Sequence, residues 1–126
     1  MVKQVHFNPK SIAFTFILAG VLILSACGKD AIDMFDCAGV TPTYTIEVKP
    51  ILDASCAKSG CHDAQTQENG FDFSSYSEAK IASQVENFLG AIQHKKGFEP
   101  MPNDSPKLSA DKIKILSCWA QNGSPE

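Results

Sequence analysis

Residues 55–64 read SCAKSGCHDA. Just behind a short apolar run, this stretch sets two thiols, Cys56 and Cys61, close together and places His62 directly after the second. Two thiols and an imidazole packed this tightly serve few purposes. They can ligate zinc, close a disulfide beside a surface histidine, or hold a haem through thioether bonds. Adjacent Cys and His ligands strain a tetrahedral zinc site, and no fourth ligand is evident in the sequence. A disulfide gives His62 no role. Covalent haem attachment uses all three residues: the thiols bond one edge of the porphyrin, and an imidazole next to the second thiol falls under the iron. Taken alone, the ten residues leave the choice open.

The rest of the chain bounds it. Its 126 residues suffice for one domain. The first 26 are expected to be cleaved: Lys3 and Lys10 give a positive start, Ile12–Leu24 is an uncharged apolar run, and small residues follow. That run is short for a membrane span, which takes roughly 20 residues. It ends in Leu24-Ser25-Ala26-Cys27, which resembles the lipobox of bacterial lipoproteins. The resemblance implies a diacylglyceryl group on Cys27 and cleavage before it. Gly28 in place of an aspartate then favours the outer membrane of a bacterial cell envelope, facing the periplasm or the cell surface. Loss of residues 1–26 removes two lysines and no acid, so the mature chain is more acidic than the −3 of the whole. With no Arg anywhere, nucleic acid is not an expected partner. A mature domain of about 100 residues buries a modest core and often leans on disulfides, metals or cofactors. Export makes disulfides permissible.

Residues 27–42 read as a lipidated tether with some fixed structure, and residues 43–126 as the domain. Met34 and Phe35 have no obligation to dock. Tyr44, Val48, Ile51 and Leu52 recur at helical spacing, which predicts a helix over about 45–55, distorted near Pro50. Residues 57–76 are loop, rich in Gly, Ser, Asn, Asp and Gln, interrupted by Phe71, Phe73 and Tyr76. Ser75 or Ser77 can cap a helix through Ala79, Ile81 and Ala82, and a stretch over about 84–94 sets Val85, Phe88, Leu89 and Ile92 on one face. The two are one helix or two. Met101 stands between prolines in the loop 95–107. The last helix is the clearest: Ser109 as N-cap, the stripe Ile113, Leu116, Trp119 and Ala120, and Gly123 as its end. No strand pattern and no repeat appears, so the expected class is all-α.

Cys56-x4-Cys61-His62 resembles a variant c-type haem motif, with Gly60 easing the bulge that the longer loop requires. The run from Glu99 to Gly123, EPMPNDSPKLSADKIKILSCWAQNG, resembles the C-terminal third of class I cytochromes c. The order helix, Cys-His, loop, helices, Met loop and terminal helix strengthens that likeness over residues 43–123. The resemblance implies a small class I cytochrome c-like fold, with crossed N- and C-terminal helices around one covalent haem c. On it, Cys56 and Cys61 carry the haem, while His62 and Met101 ligate the iron, a thioether being a soft ligand that raises its potential. His94 is the rival to Met101. Phe71, Phe73 and Phe98 would wall the haem, and Trp119 would pack near Tyr44 at the helix crossing. The first and last helices touch in that fold, so Cys37 and Cys118 are implied as a disulfide. The expected activity is one-electron transfer by a monomer, to and from redox partner proteins, with no enzymatic constellation in view. Two other readings stay open: a haem-free, disulfide-braced lipoprotein serving as a structural or interaction module, and a five-coordinate haem that senses a gas.

Overall fold

A computed structural model describes residues 28–126 of the chain. The expected signal peptide and the lipidation site Cys27 lie outside the described residues. Among those described, the regular structure is entirely helical: a π-helical segment Tyr44–Val48, α1 (Lys49–Ser55), α2 (Tyr76–Ser83), α3 (Glu86–Ile92), α4 (Ala110–Gln121) and one 3-10 turn, Glu68–Gly70. None is long and apolar enough to cross a membrane.

The π-helical entry into α1 accounts for the distortion expected near Pro50. In an unbroken α-helix the pyrrolidine ring would meet the carbonyl four residues back. Here the Val48 amide donates to Thr43 O at 3.2 Å, five residues back, and the widened turn delivers Pro50 into the first turn of α1. Val48, Ile51 and Leu52 face inward from this unit. Helix α4 packs against the π-helical segment. At this contact Trp119 lies 6.1 Å from the Tyr44 ring, and Tyr44 lies 5.3 Å from Tyr76. Trp119 and Leu116 are wholly buried. Emptying the Trp119 position would cost about 3–5 kcal/mol.

The sequence placed the end of α4 at Gly123, and Gly123 does adopt φ +83° there. What it did not foretell is that the chain then turns back into the core. Ser124 is fully buried, and its hydroxyl meets that of Ser83 at 2.7 Å. The Pro125 carbonyl accepts from both Trp119 Nε1 (2.7 Å) and the Tyr44 amide (3.0 Å), so one acceptor joins α4 to the π-helical segment. The segment 75–94 forms two helices, broken at Gln84–Val85. Val85 is extended (φ −90°, ψ 142°) and 39% exposed, which corrects its expected place on the buried face. Ile81 is likewise exposed, and the inner side is carried by Ala79, Ala82, Phe88 and Ile92.

Residues 28–42 run as a strap over the domain. Asp33 and Gln93 exchange hydrogen bonds, Asp33 N to Gln93 Oε1 at 2.8 Å and Gln93 Nε2 to Asp33 O at 3.0 Å. Phe35 and Gln121 repeat the device at 3.1 and 3.2 Å. Between these clamps Phe35 docks half-buried, whereas Met34 remains 73% exposed. The strap is closed covalently: Cys37 and Cys118 form a disulfide across a sequence separation of 81 residues, with Cα atoms 5.5 Å apart. Gly97, at φ +87°, lets the strap pass, since a Cβ there would lie 2.8 Å from Lys29 Cγ and 3.1 Å from Lys29 Cα.

Candidate cofactor site

Between the end of α1 and the loop 97–105 lies a slot formed by two adjoining cavities of about 400 and 450 Å³. Both volumes fall within the range of about 300–1,000 Å³ common for ligand pockets. The two cavities adjoin along Cys56, His62, Asn69, Glu99 and Met101, which border both. One half is walled by Phe71, Phe73, Phe88, Ile92 and Phe98. The other opens onto a polar rim that includes Lys58, Glu68 and Asn103, and Cys61 lies there.

Helix α1 delivers Cys56 to the slot, where the residue is only 8% exposed. Burial pushes this thiol up to about 11, so it is protonated at neutral pH and is not a ready nucleophile. The Cys61 side of the motif is shaped by a turn. Gly60 takes φ +82°, as the bulge requires, and the Cys61 amide donates to Lys58 O at 2.9 Å. Asp63 then closes the turn from beyond the histidine. Its carboxylate accepts from the amides of Gln65 (2.9 Å), Thr66 (3.1 Å) and Gly60 (2.9 Å), and these donors hold it below the ordinary carboxylate range. Cys56 and Cys61 are both free thiols, not joined to each other.

His62 is buried with its backbone and its ring both fixed. Its amide donates to Cys56 O at 3.2 Å, and its carbonyl accepts from Phe73 N at 2.9 Å. The ring stands edge-on to Phe73 (5.2 Å) and Phe71 (6.2 Å). Its Nδ1 lies 3.3 Å from Phe71 O. A carbonyl only accepts, so that contact puts a proton on Nδ1, and in the neutral ring the lone pair is then on Nε2. A carbonyl partner on one ring nitrogen is the usual support for a histidine that ligates metal through the other.

Met101 reaches the same slot from the loop after α3. Its amide donates to Ala91 O at 3.1 Å, and its carbonyl accepts from His94 Nε2 at 3.0 Å. The rival ligand His94 lines neither half of the slot. Phe98 completes the apolar wall because Gly90 leaves room for it: a Cβ on Gly90 would sit 2.4 Å from Phe98 Cγ and Cδ1.

These residues fit a haem. A cavity walled by phenylalanines is bordered by one free thiol, an imidazole and a thioether, and the second free thiol lies on the adjoining cavity. Among the described residues no three of His, Cys, Asp or Glu converge to hold a bare metal ion. A haem iron takes four of its ligands from the porphyrin and needs no such cluster. Of the residues singled out in the sequence, Cys56, His62 and Met101 border both cavities, Phe71, Phe73 and Phe98 border the first, and Cys61 borders the second. The sequence missed Phe88 and Ile92, which read simply as a helix core, and Gly90, whose role depends on a ring eight residues away. Compared with family models, curated proteins and solved structures, the chain matches none of them.

Proposed function

We propose that this chain is a small c-type cytochrome, tethered to the cell envelope by lipid on Cys27, that carries single electrons between partner proteins as a monomer. The observation that carries the reading is that Cys56, His62 and Met101 border the apolar cavity while Cys61 borders the cavity adjoining it. When bound, a haem would supply an iron that cycles between ferric and ferrous states. Cys56 and Cys61 would hold it by thioether bonds. His62 offers Nε2 because Phe71 O fixes the proton on Nδ1. Met101 offers a soft thioether, which favours the reduced state. Phe71, Phe73, Phe88 and Phe98 exclude water from the interior half, and the polar rim beside Cys61 leaves an edge open to a partner. The further likeness to class I cytochromes c rests on the packing of the last helix against the first helical segment and on the order of the motifs.

The test is the visible spectrum and the intact mass of the exported, matured lipoprotein. The reading expects low-spin reduced c-type bands and a mass gain of one haem that survives acid-acetone extraction. Replacing Met101 by alanine should convert the spectrum to one with an open coordination position. Colourless mature protein would overturn the reading in favour of a disulfide-braced module. High-spin bands in the unaltered protein that shift with carbon monoxide would make it a gas sensor instead.

A further inference from the structure

We infer that His94 is a positioning residue for Met101, acting through the methionine's main chain and not as an alternative ligand. The inference rests on the cytochrome reading above. Met101 sits in a loop that has no helix or sheet to hold it, yet both of its backbone polar groups are tied to the C-terminal end of α3. The Met101 amide donates to Ala91 O at 3.1 Å, and the Met101 carbonyl meets His94 Nε2 at 3.0 Å. Because the carbonyl only accepts, Nε2 carries the proton in this contact. The other ring nitrogen, Nδ1, belongs to a residue that lines neither cavity of the site, whereas Met101 lines both.

The backbone at His94 is arranged for this contact. Its φ of +55° is in the left-handed region, which residues other than glycine seldom enter. The His94 amide also donates to Ala91 O at 3.1 Å, so one carbonyl receives both His94 and Met101 and fixes their separation. Glycine is the common residue at such a helix end. A glycine would end α3 equally well but would leave the Met101 carbonyl without its partner. The side chain therefore does something that the turn itself does not need. A thioether is a weak iron ligand, and a loop that holds it still lowers the entropy lost on ligation.

The test uses the haem-loaded, full-length lipoprotein with two substitutions. His94→Gly keeps the left-handed backbone free of strain and removes the imidazole. His94→Gln keeps an N–H donor on a side chain of similar reach. One readout is the far-red charge-transfer band of methionine-ligated ferric haem, titrated away with added imidazole. The other is hydrogen exchange at the Met101 amide. Loss of one hydrogen bond is expected to let imidazole displace Met101 at a concentration about 2- to 10-fold lower in His94→Gly, with exchange faster by a similar factor. His94→Gln should restore most of both. A His94→Gly protein whose band, imidazole affinity and exchange match the unaltered chain overturns the inference while the cytochrome reading stands. So does a low-spin spectrum that collapses in His94→Gly but survives in Met101→Ala, because His94 would then be the ligand. Colourless unaltered protein overturns both together.

Discussion

Replacing Gly90 by alanine asks whether Phe98 is held against α3 as the wall of the slot. Gly90 lies inside α3 with an ordinary helical backbone, so on helix propensity alone alanine should stabilise by about 0.5–1 kcal/mol. Packing argues the other way. The new Cβ would stand 2.4 Å from Phe98 Cγ and Cδ1 and 2.6 Å from Cδ2. Carbon atoms rest about 3.5–4.0 Å apart, so the ring must retreat by roughly 1 Å or more. The clash reaches Cγ, next to the backbone, and a small swing of the ring tip cannot relieve it. Overpacking of this kind costs about 1–3 kcal/mol. The net expectation is a loss of about 1–2 kcal/mol, read as a lower urea midpoint at unchanged slope. A double-mutant cycle separates the two effects. In a Phe98→Ala background the three atoms nearest the added methyl are gone, and the same Gly90→Ala change should become stabilising by about 0.5–1 kcal/mol. A midpoint that rises in both backgrounds would refute the packing argument and take Phe98 off the wall of the slot.

Joint replacement of Cys37 and Cys118 by alanine opens a loop spanning 81 residues and should lower stability by about 2–4 kcal/mol, with faster amide exchange at Asp33 and Phe35; an unmoved urea midpoint would contradict the bracing role. In chain prepared without haem, iodoacetamide at pH 8 should mark exposed Cys61 well before Cys56, whose thiol at about 11 is only about one part in a thousand ionised at that pH; equal rates would mean that Cys56 is not buried. Asp63 is held below the ordinary carboxylate range by backbone donors, so its contribution is complete above that range and fades as pH falls through the depressed value. Asp63→Ala should therefore be the less stable protein at neutral pH yet show a shallower loss on acidification, and parallel acid profiles for the two would show that the turn does not depend on that charge.

The parts of the fold that could be read from the sequence are those in which one residue type forces one conformation. Pro50 cannot sit in an unbroken helix, Gly60 and Gly123 adopt positive φ where a bulge and a helix end need it, and the stripe of α4 follows the helical period. The break between α2 and α3 has no such marker. Gln84 and Val85 are neither Gly nor Pro, and the chain extends there because Phe88 and Ile92 must turn toward the slot while Val85 does not. The strap was equally hard to foresee. Its hold on the domain comes from Gln93 and Gln121, whose amides pair with main-chain atoms of Asp33 and Phe35, and such pairing depends on backbone direction, which side-chain identity does not encode. The tail Ser124–Pro125 is polar and short, and yet it bonds to Ser83 and to Trp119 of α4.

The same distinction runs through the candidate site. Its chemistry-bearing residues are legible because few side chains can do what they do, whereas the groups that aim them are carbonyls: Phe71 O for the His62 ring, Ala91 O for the Met101 amide. These two supports lie on separate segments, so something must set their spacing. Phe73 is the link. Its ring stands edge-on to His62 at 5.2 Å and tilts against Phe88 of α3 at 5.7 Å, while its amide donates to the His62 carbonyl at 2.9 Å. From His62 the line of contacts runs through Phe73 and Phe88 into α3, then through Ala91 to Met101. Each step is a packed ring or a main-chain hydrogen bond, which fixes distance more tightly than an exposed ion pair does. The helix end that carries Met101 is thereby positioned by the same aromatic core that shields His62. Excluding water from this slot and spacing its two candidate ligands are accordingly one structural task, met by Phe73 and Phe88.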